Sequence, residues 1–129
     1  MRRVLLDTHA LLWWLVDDRK LGSVARDVIA EPRNEILVSA ASIWEIGIKR
    51  QKGLLEVPDD LEALVEDAGF GKLPISLFHA QQAGALPAIH RDPFDRMLVA
   101  QAQAEGLELL TADETIPQYV VRVIDARQC

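Results

Sequence analysis

Apolar residues recur along this chain in two rhythms, and their alternation predicts the fold. Val4-Leu5-Leu6, preceded by Arg3, is a short apolar run of the kind that fills a strand buried on both faces of a parallel sheet. Asp7 ends that run, and Thr8 opens a helix through Val16 that is apolar nearly all round, with Trp13 and Trp14 adjacent and facing different ways. The segment from Asp17 to Gly22 reads as a turn, and Ser23 as the cap of a short helix over Val24 to Ala30 that Pro32 closes. Ile36 to Val38 is the second strand. Ser42-Ile43-Trp44-Glu45 matches a capping box, so a helix is expected from there to Gly53, with Glu45 in its first turn. Pro58 and Asp59 start a fourth helix with Leu61, Leu64, Val65 and Ala68 on its apolar face.

The second half repeats the scheme. Leu73-Pro74-Ile75 is at most an edge strand, because proline cannot donate to a sheet ladder. Ser76 caps a helix that carries His79 and ends near Leu86 and Pro87. Asp92 caps the next helix and Pro93 is its first residue, where a missing N–H is harmless. Phe94, Met97, Leu98 and Ala102 form its apolar side, and Asp95 stands in its first turn. Gly106 breaks it, Leu107 to Leu110 form a strand that delivers Thr111-Ala112-Asp113, and Val120 to Ile124 are the last strand. Strands alternating with helices at this spacing predict an α/β fold, an open and mostly parallel central sheet flanked by helices. No repeat or linker divides residues 1–129, which read as one domain.

Composition narrows the picture. Half of the 129 residues are hydrophobic and 26% are charged, an ordinary globular balance. Cys129 is the lone cysteine, so no internal disulfide forms, and no apolar run is long enough to span a bilayer; both suit a cytoplasmic protein. The net charge of −6 argues against nucleic acid as a partner unless several of the acids sit together and bind divalent cations.

Four acids qualify for that. Asp7 and Asp113 each follow the carboxyl end of a strand, while Glu45 and Asp95 each lie at the start of a helix near the same edge. Sites in open α/β sheets form at that edge, and right-handed crossovers bring all the strand ends to it. Four converging carboxylates repel unless cations neutralise them. An all-oxygen set favours Mg²⁺ or Mn²⁺ over Zn²⁺. The helix N-termini are expected to keep Glu45 and Asp95 ionised. Such a cluster suits phosphodiester hydrolysis, in which one ion activates a water and the ions together stabilise the pentavalent charge.

These residues also carry a resemblance. Leu5-Leu6-Asp7-Thr8-His9, Ser39 to Glu45, Asp92-Pro93-Phe94-Asp95-Arg96 and Leu110-Thr111-Ala112-Asp113, in this order, resemble the PIN-domain ribonucleases, specifically the VapC-type toxins of type II toxin–antitoxin systems. The resemblance covers essentially the whole chain and implies a PIN-like fold. It implies that Asp7, Glu45, Asp95 and Asp113 are both the metal ligands and the catalytic residues of an Mg²⁺- or Mn²⁺-dependent endoribonuclease. Many members have a small hydroxyl residue in place of His9 and a basic residue in place of Ala112, so His9 reads as packing or substrate contact. Thr8 and Thr111 could orient the adjacent acids, and Asp92 is assigned to capping or to supporting the metal ligands from behind, with Asp95 as the ligand.

The resemblance further implies a cognate VapB-like antitoxin as partner, RNA as substrate, and a homodimer. Trp13, Trp14 and Trp44 are the candidates for the antitoxin groove, and Lys49, Arg50, Arg91 and Arg96 for phosphate contacts. Three other readings compete. An aspartyl-phosphate enzyme like the haloacid dehalogenases needs a second Asp where this chain has His9. The tryptophans also suit a non-catalytic interaction module, and the metal chemistry equally suits a DNA-directed nuclease of the same fold.

Overall fold

The computed structural model describes residues 1–129, and every strand pair in its sheet is parallel. β1 (Arg3–Leu6) lies at the centre, between β2 (Glu35–Ser39) and β4 (Glu108–Thr111). The edges are β3 (Gly71–Leu73) beside β2 and β5 (Val123–Asp125) beside β4, giving the order β3-β2-β1-β4-β5. Chain order reverses direction at β1, and this switch point opens a crevice at the carboxyl ends of β1 and β4. The sheet is thus wholly parallel rather than mostly so. The final strand starts later than the apolar pattern suggested, because the loop that follows a 3₁₀ turn at Ile116–Gln118 takes up Val120 to Arg122. Pro74 lies just beyond β3, so the strand ends before the residue that could not have paired.

Six helices cover the two faces: α1 (Thr8–Leu15), α2 (Ser23–Ala30), α3 (Ala40–Gln51), α4 (Leu61–Asp67), α5 (Leu77–Ala85) and α6 (Pro93–Glu105). Side chains alternate across the strands. Val4, Leu6 and Leu110 face a core built with Leu11, Ile29 and Ile46, while Leu5 and Leu109 face Leu98, Val99 and Tyr119. Full burial of each such Leu or Val contributes about 1.5–3 kcal/mol, which is what holds the strand ends in register. No helix is long and apolar enough to cross a membrane.

Three helix starts differ from expectation. Ser39, not Ser42, caps α3, because its hydroxyl at the end of β2 already accepts the N–H of Ala41. Glu45 therefore lies in the second turn and is no capping residue. Asp60 caps α4 through the N–H of Ala63, so that helix starts later than Pro58-Asp59 suggested. At α2 the N-cap is Gly22, and Ser23 is already helical with no side-chain cap present. The orphan donors there are taken by the far end of the chain. Gly22 N–H donates to the Ala126 carbonyl at 2.8 Å, and Val24 N–H to the Gln128 carbonyl at 3.1 Å.

That contact explains why position 22 is glycine. Its φ of −71° suits any residue, but a Cβ there would run into the Gln128 carbonyl and the Arg127 backbone. Gly22→Ala is expected to lower stability by about 1–3 kcal/mol. Equilibrium urea unfolding of wild type and variant checks it, and an unchanged midpoint would refute the close packing of the C-terminal segment on α2.

Candidate metal centre

All four predicted acids line one cleft of about 330 Å³ at the carboxyl edge of the sheet. Each is held there by a different local device. Asp7 is the N-cap of α1 and only 4% exposed; one carboxylate oxygen accepts the Ala10 N–H at 2.8 Å and the other the Thr111 hydroxyl at 2.6 Å. Glu45 is also buried; it accepts the Thr8 hydroxyl at 2.6 Å and pairs with Lys49 at 2.8 Å, one turn further along α3. Thr111 accepts the Asp113 N–H at 3.0 Å and so does position its sequence neighbour, and both threonines also reach acids on other elements. Thr111, at the end of β4, holds the acid that follows β1, and Thr8 on α1 holds the acid on α3.

Asp95 stands in the first turn of α6, whose start Asp92 caps by accepting the N–H groups of Phe94 and Asp95 at 2.8 and 3.3 Å. Asp113 follows β4, and one of its oxygens accepts N–H bonds from Thr115 and Ile116 at 2.7 and 3.2 Å. Between Asp95 and Asp113 lies His90, which the sequence pattern did not single out. Its Nε2 is 3.1 Å from Asp95 Oδ2 and 3.0 Å from Asp113 Oδ2, and these three ligand atoms lie within 4.8 Å of one another. The ring is fixed at its other nitrogen, where Nδ1 accepts the Asp92 N–H at 3.1 Å. That bond favours the neutral ring with its proton on Nε2, while the bond to Asp113 and the charges of Asp95, Asp113 and Asp92 outweigh burial and raise the His90 pKa. In both forms Nε2 carries a proton aimed between the two carboxylates.

The electrostatics show how crowded the acids are. Burial pushes Asp7 above the ordinary carboxylate pKa despite the bonds from Thr111 and Ala10. Burial, followed by the charge of Asp92, raises Asp95 to about 7, with Asp113 and Asp7 adding to the shift. The helix N-terminus favours the charged form of Asp95, but burial and three neighbouring acids outweigh that half-charge while no cation is bound. Asp113 moves the other way: burial opposes its charge, but the bonds from His90, Thr115 and Ile116 outweigh it and lower the pKa. The donor chemistry fits a divalent cation held by oxygen ligands. The four carboxylates line one cleft, and the positive groups on its wall are Lys49, bound to Glu45, the imidazole of His90 shared by Asp95 and Asp113, and Arg127.

Of the predicted phosphate contacts, Lys49 alone lines the cleft. Arg50 pairs with Asp59 instead. Arg96 turns inward and donates to the carbonyls of Ala83, Leu86 and Pro87 at 2.8, 3.0 and 3.0 Å, closing the end of α5. Arg91 is exposed outside the cleft. Trp13 is 8% exposed and forms part of the cleft wall, so it is not free to line a partner groove. Trp14 is half-buried with its ring 6.4 Å from that of Phe70, while Trp44 is 65% exposed and meets Phe94 edge-on. A larger cavity of about 620 Å³ lies beside Trp44, between α3, α4 and β3. Its walls are mostly apolar, and its charged members Glu62 and Lys72 pair with each other, so the chemistry belongs to the smaller cleft.

The family model described as PIN domain matches residues 4–121. The chain belongs to the PIN-domain family. Within that family it is 31% identical over 124 residues to ribonuclease VapC22 of Mycobacterium tuberculosis, covering 92% of this chain and 93% of that protein. The PIN fold is also that of solved structures at lower identity. A toxin–antitoxin complex from Klebsiella pneumoniae has a TM-score of 0.67 at 20% identity, covering 98% of this chain and 99% of its own. DNA-bound VapBC from Salmonella typhimurium has a TM-score of 0.69 at 17% identity, covering 97% and 98%.

In this PIN domain the raised pKa of Asp95 has a definite sign. Without a cation, folded Asp95 keeps its proton up to about 7 while the unfolded chain releases it near 3.8. The folded state then binds more protons between those values, so stability falls as pH rises through that window, by up to about 1.4 kcal/mol for each step of one in pH. Asp95→Asn removes the liability. It is expected to melt higher than wild type at pH 8 in EDTA, with the advantage gone below pH 4. Thermal melting across pH 4–8 measures this, and a variant less stable than wild type at pH 8 contradicts it.

Proposed function

We propose that the chain is an endoribonuclease that hydrolyses RNA phosphodiester bonds with a divalent cation, Mg²⁺ or Mn²⁺, and acts as a toxin restrained by a VapB-like antitoxin. The observation that carries the proposal is the convergence of Asp7, Glu45, Asp95 and Asp113 on one cleft in a member of the PIN-domain family. Support for RNA as substrate comes from the relative named ribonuclease VapC22. Support for an antitoxin partner comes from the toxin–antitoxin and VapBC structures of the same fold. On this reading residues 1–129 act as one domain in the cytoplasm, paired with a second copy, and exposed Trp44 beside its apolar cavity is the candidate for the antitoxin surface.

Asp7, Glu45, Asp95 and Asp113 would hold the cation, which supplies positive charge against the charge that develops at phosphorus and lowers the pKa of a water. The remaining residues set the conditions for this. Thr111 and the Ala10 N–H fix one carboxylate of the set and Thr8 another, so the ligands are oriented before any cation arrives. Lys49 offsets the charge of Glu45, and the His90 proton that bridges Asp95 and Asp113 is the group a cation must displace or push aside. Asp92 caps and aims α6, its N–H fixes the His90 ring, and its charge adds to the crowding that raises Asp95.

Incubation of the purified chain with RNA tests the proposal. Cleavage is expected with Mg²⁺ or Mn²⁺ and not in excess EDTA, and Asp7→Asn is expected to abolish it while melting no lower than wild type in EDTA. Persistent cleavage in EDTA would refute the metal requirement.

The roles of Asp92 and Asp95 are tested separately. Asp95→Asn is expected to be inactive, whereas Asp92→Asn keeps a side-chain oxygen that accepts the Phe94 N–H, so it holds the cap and keeps activity. The reverse pattern would place the ligand one turn away.

A further inference from the structure

The cleft is acidic, yet one cation on its wall is held by no carboxylate. Arg127 lies just beyond β5 and is exposed, but its backbone is anchored on both sides. Ala126 N–H donates to the Thr111 carbonyl at 2.9 Å, the Ala126 carbonyl accepts from Gly22, and the Gln128 carbonyl accepts from Val24. The Arg127 N–H itself donates to Asp125 at 2.9 Å. From this fixed base the guanidinium reaches across to lie 5.6 Å from the centre of the Trp13 ring. An arginine beside several carboxylates would ordinarily fold onto one of them. Here the buried indole offers its face instead, an attraction of about 0.5–1 kcal/mol that leaves the N–H edge of the guanidinium unused.

We propose that Arg127, propped on Trp13, is the residue that grips a backbone phosphate of the RNA strand next to the bond being cut. The assignment rests on the ribonuclease reading above. A substrate strand is a polyanion entering an acidic cleft, and bound cations answer only the charge at the reacting phosphorus. A neighbouring phosphate needs its own partner. Lys49 is engaged by Glu45, which leaves Arg127 as the free guanidinium on the cleft wall, with the planar fork that suits two phosphate oxygens. Its base also spans the sheet edge next to Ala112, whose methyl group leaves room for the strand. His9, exposed and with its ring 6.1 Å from that of Trp13, extends the same wall.

The test measures binding and cleavage in parallel. Binding is followed by fluorescence anisotropy of a labelled single-stranded RNA pool of random sequence, in EDTA over a series of KCl concentrations. Cleavage of bacterial RNA is followed with Mg²⁺. Arg127→Gln is expected to weaken binding about tenfold and to reduce the salt slope by about 0.7, the value for one phosphate contact on a single strand. Arg127→Lys should keep the slope and lose part of the affinity, and Arg122→Ala, an exposed arginine away from the cleft, should match wild type. Arg127→Lys keeps a cation over Trp13 and should melt with wild type, while Arg127→Gln loses that attraction and should melt lower by no more than a few degrees. Unchanged affinity and slope in Arg127→Gln, or equal losses in Arg127→Gln and Arg122→Ala, would overturn the assignment while leaving the ribonuclease reading intact. Wild-type protein that neither binds nor cuts RNA would overturn that reading itself.

Discussion

A carboxylate placed beside the central strand of a parallel sheet is taken out of water on nearly every side, and an unpaired charge in that position is costly enough that the chain would protonate it or rearrange. Asp7 sits there, and much of the surrounding structure serves to keep it in place. Its bond from Ala10 starts α1 in the direction that packs Leu11 into the core, and its bond from Thr111 ties the end of β1 to the end of β4. Thr8, the next residue, reaches the other way and fastens Glu45 on α3. Two adjacent residues thereby clamp four elements, β1, β4, α1 and α3, around one point. The remaining strain shows as a carboxyl group pushed above its ordinary pKa.

Local satisfaction falls off from Asp7 and Glu45 to Asp95. Asp7 has two donors, Glu45 has a hydroxyl and an ammonium, and Asp113 has two backbone N–H groups and a share of His90. Asp95 has only its share of His90, and its carboxyl is the one driven up to about 7. A cation would thus be oriented by the three better-anchored acids and would relieve the fourth. This division of labour is ordinary for a site kept ready at some cost to stability.

Much of this was legible in the chain because it depends on local pattern. Short apolar runs ending in Asp7 and Thr111-Ala112-Asp113 mark strands that deliver acids to one edge, and Asp92-Pro93 marks a helix start without ambiguity. Glu45 shows where local pattern misleads. Ser42 and Glu45 satisfy the capping-box spacing, but β2 runs on to Ser39, whose hydroxyl claims the helix start first. Glu45 is then carried one turn inward to Thr8, a partner that only the packing of α1 on α3 supplies. The basic residues were illegible for the same reason. Whether an arginine faces solvent, as Arg91 does, or closes another helix, as Arg96 does, depends on carbonyls distant in the sequence. His90 and Arg127 acquire their positions from bonds to Asp92, Gly22 and Val24 that no periodicity announces.

The bond between Thr111 and Asp7 joins residues 104 positions apart, and this governs when the cleft can exist during synthesis. Chains emerge from the ribosome N-terminus first at roughly 5–20 residues per second, and domains fold as units. β1, β2 and β3 leave early, but β1 has no neighbour on its other side until β4 has been made, and Asp7 lacks its second donor until then. Asp113 follows only two residues later. The carbonyls that complete the start of α2 and set Arg127 against Trp13 come later still. A nascent chain short of Thr111 therefore carries acids without a cleft, and whatever chemistry the cleft performs waits for β4 and Asp113.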